Sequence, residues 1–130
     1  MDLKSWAEGL VFRQEISRKR AVGPLLKLLG GRGGGRFCGL GDDCGYLECD
    51  GSFLLLTMDS IRESLLERPR YAGFCAVNVA VSDIFATGGC PLGVADSLHV
   101  PQGDQGWALE IAEGLREGCE FFQLEMLGGH

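Results

Sequence analysis

The pattern of apolar and polar positions predicts two closely packed helices. Between Ala72 and Thr87 almost every side chain is small or apolar, and the apolar positions recur at steps of three and four residues. Gly88-Gly89 is expected to end this helix, and Pro91 prevents its continuation. A second long helix is predicted to begin at Asp104, because apolar residues recur four positions apart on one side: Trp107, Ile111, Leu115 and Cys119.

Shorter runs predict strands between and after these helices. Asp50-Gly51 is a hairpin signal between two runs rich in apolar and aromatic residues. Strands are expected at Tyr46–Cys49, Phe53–Met58, Leu92–Val100 and Phe121–Leu127, the last before a Gly128-Gly129 turn. Short helices are expected at Leu3–Phe12 and Val22–Leu29, and Ile61–Tyr71 is expected to be a polar connection. The pattern indicates one α/β (α+β) domain over residues 1–130.

Charge limits the classes of partner. The 130 residues carry a formal net charge of −6, divided between +5 in residues 1–40 and −11 in residues 41–130. The acidic total argues against nucleic acid as a ligand. The basic positions of the N-terminal part form either a solvated helix face around Arg18-Lys19-Arg20 or, at Arg32 and Arg36 among glycines, contacts to phosphates.

Cysteine usage and hydropathy indicate a cytoplasmic protein. The six cysteines form no CxxC pair and have no histidine at zinc spacing, so free thiols in a reducing compartment are expected. The first twenty residues lack the apolar core of a secretory signal. The apolar run around Asn78 is interrupted by Asp83, glycines and a proline, so no membrane span is expected.

Two polar residues interrupt the first long helix, Asn78 and Asp83. A carboxylate on a buried helix costs several kcal/mol unless a cation or hydrogen-bond donors compensate it. Asp42, Asp43 and Asp59 likewise lie at the ends of glycine-rich or apolar segments. Carboxylates that gather in this way repel one another unless a hard cation lies between them, and Mg²⁺ with nucleotide phosphates fits that chemistry. Taken singly, Asp42-Asp43 equally suits a turn and Asp59 a helix cap.

Other sites are poorly supported by the sequence. The glycine-rich segment Gly30–Gly45 contains no GxxxxGK[ST], and it places Asp42-Asp43 where a dinucleotide pyrophosphate requires bare backbone amides. There is no G-x-S-x-G sequence. Cys38 beside Arg36 is either a thiol of lowered pKa or an inert one.

Four motifs in order identify a resemblance to a known family. They are Gly39-Leu40-Gly41-Asp42-Asp43-Cys44, Leu56-Thr57-Met58-Asp59-Ser60, the run AVNVAVSDIFATGGCP from Ala76 to Pro91, and Gly128-Gly129-His130. Over residues 18–130 the chain resembles the N-terminal domain of the aminoimidazole ribonucleotide (AIR) synthase superfamily. That superfamily includes AIR synthase, thiamine-monophosphate kinase, selenophosphate synthetase and a hydrogenase maturation dehydratase. The likeness is greatest to its uncharacterised AIR synthase-related members.

The resemblance implies a fold, cofactors and site residues. It implies a mixed sheet packed with helices that forms a barrel-like sheet core when two copies dimerise. It implies ATP and Mg²⁺ as cofactors. The metal ligands implied are Asp42, Asp43, Asp59 and Asp83. The nucleotide-binding residues implied are Gly41, Ser60, Asn78, Arg32 and Arg36. The catalytic residues stay unassigned.

Departures from the family pattern leave alternatives open. His130 stands where thiamine-monophosphate kinase has a metal-binding Asp, and the Cys-Gly-Cys-Lys of selenophosphate synthetase is missing. The family's C-terminal domain and the last strand of the N-terminal domain are both expected to be missing. We therefore expect a Mg-ATP-binding domain of an enzyme that phosphorylates or activates a small-molecule acceptor, inactive as this chain alone. The alternative is a non-catalytic dimerising or nucleotide-sensing remnant, which a stop codon directly after His130 would favour.

Overall fold

The described part of the chain combines two long helices with short strands. The computed structural model describes residues 42–100 and 105–130, with positions 24, 28–29 and 37–38 before them. Its elements are β1 (Phe37–Cys38), β2 (Gly45–Cys49), β3 (Ser52–Leu56), a 3₁₀ turn (Glu63–Leu65), α1 (Pro69–Ala86), β4 (Val94–Asp96), α2 (Gln105–Phe122) and β5 (Met126–Gly129). The predicted mixed α/β class is confirmed. Leu3–Phe12 lies outside the described residues, and Val22–Leu29 is described only at Pro24, Leu28 and Leu29, which are helical.

The predicted hairpin is present. β2 and β3 pair antiparallel, with Gly45 opposite Leu56 at the open end and Cys49 opposite Ser52 at the turn. Asp50 and Gly51 both have positive φ, 48° and 77°. A two-residue turn with positive φ at both positions matches the right-handed twist of the strands, and Asp-Gly adopts it readily. β1 pairs with the other edge of β2, giving the order β1-β2-β3.

The core lies between α1 and α2, which approach so closely that their backbones touch. A Cβ atom at Gly73 would lie 2.1 Å from the carbonyl oxygen of Ile111, and one at Gly114 would lie 1.8 Å from that of Arg70. The predicted apolar stripe of α2 faces this contact. Buried side chains of the core cluster are Val77, Val81, Ile111, Leu115 and Cys119. Small residues on both helices are therefore the condition for this packing.

α1 begins three residues before the predicted start, at Pro69. The polar connection predicted to reach Tyr71 is therefore too long. Proline is accepted at the first helical position because the backbone N–H that it lacks would be unpaired there anyway. The earlier start brings the guanidinium of Arg70 onto both carboxylate oxygens of Glu117 on α2. Arg70 also pairs with Glu113 at 3.3 Å.

The closing strand predicted at Phe121–Leu127 is wrong in its first half. α2 continues to Phe122, and Gln123 then turns the chain with a φ of 57°. The Leu124 N–H donates to the Cys119 carbonyl and the Gln123 N–H to that of Glu120, the paired bonds of a Schellman motif. Two adjacent phenylalanines suit a strand by propensity, but the helix prevails because Cys119 and Phe122 pack into the inter-helix core.

β4 and β5 form a parallel pair joined through α2. Ala95 lies opposite Gly128 and Asp96 opposite Gly129. The Gly128-Gly129 turn that the sequence suggested is therefore wrong, since both glycines belong to β5. β4 is also shorter than the predicted Leu92–Val100. No helix among the described residues is long and apolar enough to cross a membrane.

Candidate functional site

The candidate site lies where the hairpin meets the C-terminal turn of α1. The chain leaves β3 at Leu56, and the half-buried Thr57 follows. Its hydroxyl Oγ1 donates a hydrogen bond of 3.1 Å to Oδ2 of Asp83. This hydrogen bond joins Asp83 to the segment that follows β3, because Thr57 lies two residues before Asp59 in the sequence.

Side-chain packing near this hydrogen bond also brings β3 against the C-terminal end of α1. A Cβ atom at Gly89 would lie 2.4 Å from Cδ1 of Leu55 and 3.1 Å from the Ile84 side chain, so the Leu55 side chain packs directly against this glycine. Gly88 takes a φ of 84°, and the N–H groups of Gly88 and Gly89 donate to the carbonyls of Phe85 and Ile84. This Schellman end, which the sequence predicted from Gly88-Gly89, turns the chain towards β3.

The Asp83 main chain is held independently of its carboxylate. Its carbonyl oxygen accepts hydrogen bonds from the N–H of Thr87 at 3.1 Å and from the Thr87 hydroxyl at 2.9 Å. The residue is half-buried rather than fully buried, and Asn78 is exposed. The Asp83 carboxylate is therefore only partly withdrawn from water, and the Asn78 side chain is open to solvent.

Electrostatics at Asp83 favour a cation. The carboxylate lies in the last turn of α1, near the negative end of the helix dipole, and no basic residue occupies that turn. In the part of the chain that the structure describes, no Lys or Arg pairs with Asp83. A carboxylate in such surroundings is stabilised by a positive ligand, because neither the helix nor a neighbouring side chain neutralises it.

The hairpin brings the other predicted carboxylates to the same end of the molecule. Because β2 and β3 are antiparallel with Gly45 opposite Leu56, the segment that enters β2 and the segment that leaves β3 are neighbours. Asp42 and Asp43 lie in the first, both exposed, with the Asp43 N–H donating to Asp42 Oδ1 at 3.0 Å. Asp59 and Ser60, also exposed, lie in the second.

The described conformation does not gather these side chains into a closed cluster. Across residues 42–100 and 105–130, no three His, Cys, Asp or Glu side chains approach as a metal-binding group. The exposed Asn78 lies in the middle of α1, and its carbonyl oxygen accepts a hydrogen bond from Ser82 Oγ at 2.7 Å. Gly41, Arg32 and Arg36 lie outside the described residues. The metal and nucleotide assignments stay predictions.

One residue of the site was not assigned a role from the sequence, Thr57. It belongs to the Leu56–Ser60 motif, but a lone hydroxyl after an apolar strand carries no sign of its partner. Asp83 is 26 positions away along the chain. Only the packing of β3 against α1 brings the two together.

Two clefts lie away from these residues. One of about 510 Å³ borders the Arg70–Glu117 pair, and another of about 600 Å³ lies between α2 and β5. His130 lines the second, beside Asp96. Its N–H donates to the Asp96 carbonyl at 3.3 Å and its own carbonyl accepts from the Leu98 N–H at 2.8 Å, so its main chain extends the β4–β5 pairing.

Comparison with known proteins identifies the family. The model of the AIR synthase related protein N-terminal domain matches residues 41–130. The chain belongs to the AIR synthase-related family. The resemblance predicted from the four motifs is confirmed.

Individual relatives agree with this family assignment. The uncharacterized protein sll0787 of Synechocystis is 38% identical over 123 residues, which are 94% of this chain and 36% of that protein. The thiamine-monophosphate kinase of Aquifex aeolicus is 32% identical over 96 residues, 70% of this chain and 31% of the kinase. The chain therefore spans about a third of the length of the relatives it matches.

A solved structure shares the fold. The structure described as AaThiL complexed with AMPPCP and TMP superposes with a TM-score of 0.66 at 27% identity, covering 84% of this chain and 35% of that one. The mixed α+β architecture is thus shared with that structure.

Proposed function

We propose that this chain is the Mg-ATP-binding domain of an AIR synthase-related enzyme, which uses ATP to phosphorylate or activate a small-molecule acceptor. The arrangement that carries the proposal is the shared end of the hairpin and α1, where Thr57 holds Asp83 beside the segment containing Asp59. The similarity to thiamine-monophosphate kinase and to a structure containing AMPPCP supports nucleotide as the ligand. For the reaction with the acceptor, we propose phosphoryl transfer like that of thiamine-monophosphate kinase or activation like that of selenophosphate synthetase.

The residues present fit magnesium by donor type. Asp42, Asp43, Asp59 and Asp83 offer oxygen atoms, the ligands of hard cations. Mg²⁺ usually keeps several waters and takes one or two carboxylates together with substrate phosphates. A site whose carboxylates come close only when nucleotide and metal arrive is therefore consistent with the open arrangement of the described side chains.

In this proposal the protein contributes position and charge. Bound Mg²⁺ would neutralise the phosphate oxygens and orient the terminal phosphoryl group. Asp42, Asp43, Asp59 and Asp83 would hold the metal, and the exposed amide of Asn78 would contact the nucleotide. Gly41, Ser60, Arg32 and Arg36 would complete the nucleotide site. Phosphoryl transfer of this kind requires no protein nucleophile.

We propose that two copies associate through the hairpin. Apolar side chains of β3 and of the segment directly after it are exposed: Phe53 is 65% exposed, Leu56 76% and Met58 93%. Exposed apolar side chains in one region are typical of interaction surfaces. A homodimer with a shared sheet core would cover them. The acceptor site would require parts of the enzyme beyond residues 1–130, so the chain alone would be inactive, and we propose a cytoplasmic location.

Calorimetric titration of ATP with Mg²⁺ into the protein tests the proposal. Binding is expected in the presence of Mg²⁺ and not with EDTA. Asp59→Asn and Asp83→Asn should each weaken Mg-dependent binding by at least tenfold. Asp50→Asn is the matched control, because Asp50 lies at the opposite end of the hairpin and Asn suits its positive φ. Failure of the unmodified protein to bind, or equal binding by all three variants, would contradict the site. Binding without turnover in a chain that ends naturally at His130 would support the sensing alternative.

A further inference from the structure

A cleft between α1 and α2 lies far from the carboxylates of the candidate site. Its volume is about 510 Å³, within the range of small-molecule sites, and residues from the start of α1 and from α2 line it. Tyr71 in this cleft and Asp83 lie about 18 Å apart along the axis of α1, from a rise of about 1.5 Å per residue. No residue assigned to the proposed metal or nucleotide site lines it.

The part of the cleft at the beginning of α1 attracts an anion. Arg68, Arg70 and Tyr71 line it there, where no side chain caps the helix and no acidic residue occupies the first turn. Within residues 42–100 and 105–130, no acceptor pairs with the backbone N–H of Arg70 or Tyr71, and no acid forms an ion pair with the exposed Arg68. Free N–H groups at the positive end of a helix dipole, beside a cation, favour a carboxylate.

The part of the cleft on α2 attracts a cation. Glu110 lines it with an exposed carboxylate. Gly114, about one helical turn later, lies against the Arg70 carbonyl, so Glu110 is close to the first turn of α1. The Arg70 guanidinium is held by Glu117 and Glu113, whereas no described Lys or Arg forms an ion pair with Glu110. Its carboxylate is therefore available to an ammonium group.

Aromatic side chains supply an apolar wall. The half-buried Phe74 ring meets the Phe121 ring edge-to-face at a centroid distance of 5.8 Å, and this contact restrains its orientation. Tyr71, which is 55% exposed, lines the same cleft. Because aromatic rings pair favourably in offset or edge-to-face arrangements, these two rings favour an aromatic group in the ligand.

These three features together match a small zwitterion with an aromatic side chain. We propose that the cleft binds a free aromatic amino acid, with its carboxylate on Arg68 and the start of α1, its ammonium group on Glu110 and its ring against Phe74. An amino acid carries one charge of each sign at neutral pH, as this lining requires. An amine or a carboxylate alone satisfies only one of the two charged parts.

Calorimetric titration of L-phenylalanine into the whole 130-residue protein tests the inference. A dissociation constant on the order of 1 mM is expected for a ligand of this size in an open cleft. Phenethylamine lacks the carboxylate and phenylpropionate lacks the ammonium group. Each should bind about tenfold more weakly, because a hydrogen-bonded charge is lost in both.

Substitutions in the cleft test the residue assignments. Arg68→Gln and Glu110→Gln should each weaken binding of L-phenylalanine about tenfold. The matched controls are Arg62→Gln and Glu120→Gln, which remove exposed charges of the same kind outside the cleft and should bind as the unmodified protein does. Thermal unfolding followed by circular dichroism checks that all four variants remain folded.

The outcomes separate this inference from the proposed function, because no nucleotide or metal enters the titration. Absence of binding by the unmodified protein at about ten times the expected dissociation constant would refute the site, whatever the result with Mg-ATP. Equal binding of phenethylamine and L-phenylalanine would overturn the zwitterion. Equal affinities for all four folded variants would show that Arg68 and Glu110 do not hold the ligand.

Discussion

Replacing Gly114 with alanine should strongly destabilise the protein, although alanine is the better helix former. The new Cβ would lie 1.8 Å from the Arg70 carbonyl oxygen, 2.8 Å from its carbon and 2.9 Å from the Phe74 nitrogen. All three are backbone atoms, so no side-chain rotation relieves the contact. Ordinary contact distances require α1 and α2 to separate locally by about 1.5 Å.

The magnitude follows from two opposing effects. Overpacking a close contact costs about 1–3 kcal/mol, and a clash with backbone belongs at the upper end. The higher helix propensity of alanine relative to glycine offsets this cost by about 1 kcal/mol. Separation of the helices also opens the core around Val77, which is fully buried. A net loss of about 2 kcal/mol is expected, a large part of the roughly 5–15 kcal/mol stability of a domain. It corresponds to a fall in melting temperature of about 8 °C.

Thermal and urea unfolding, followed by circular dichroism at 222 nm, measure this loss. Gly106→Ala is the matched control, since Gly106 lies in the same helix and a Cβ there would meet nothing within 4 Å. It should leave stability unchanged or raise it by up to about 1 kcal/mol. If Gly114→Ala is as stable as Gly106→Ala, the helices do not touch through this glycine and the packing argument is refuted.

Three further predictions concern charge, thiols and association. The hydrogen bond from Arg70 lowers the pKa of Glu117, so the pair stabilises the fold above the ordinary carboxyl pKa of 4.5 and this stability is lost as pH falls through the lowered pKa. Arg70→Gln should therefore flatten the dependence of melting temperature on pH in that acidic range, and an unchanged profile would contradict this prediction. Burial raises the pKa of the Cys119 thiol, so mass spectrometry after brief alkylation at pH 8 should find it modified far more slowly than the exposed Cys90, and equal rates would show that α2 opens readily. Leu56→Glu should shift the protein to monomers in light scattering at micromolar concentration, and a persistent dimer would exclude the hairpin as its interface.

Much of the local structure follows from short-range rules in the sequence. Asp50-Gly51 predicted a hairpin because few residues accept two successive positive φ angles. Gly88-Gly89 predicted the end of α1 because a Schellman motif favours glycine at its left-handed position. The i+4 stripe of α2 correctly predicted the face that packs on α1. Each of these depends on residues within a few positions of one another.

The errors arise where distant contacts outweigh local preference. Phe121 and Phe122 favour a strand locally, yet the helix includes both because Phe122 packs into the inter-helix core. Gly128-Gly129 suggests a turn, yet it forms β5 because β4 supplies hydrogen-bonding partners. No local pattern in a single sequence reports the free energy of those contacts.

The candidate site shows the same division. The sequence by itself predicted which carboxylates would bind a metal, and its motifs predicted the family to which the chain belongs. It did not determine that Asn78 is exposed, that Asp83 is only half-buried, or that Thr57 bonds to it. The bond from Thr57 depends on the docking of β3 against α1, where Leu55 packs against Gly89. Tertiary structure decided it because a hydrogen bond across 26 residues exists only after both elements have docked.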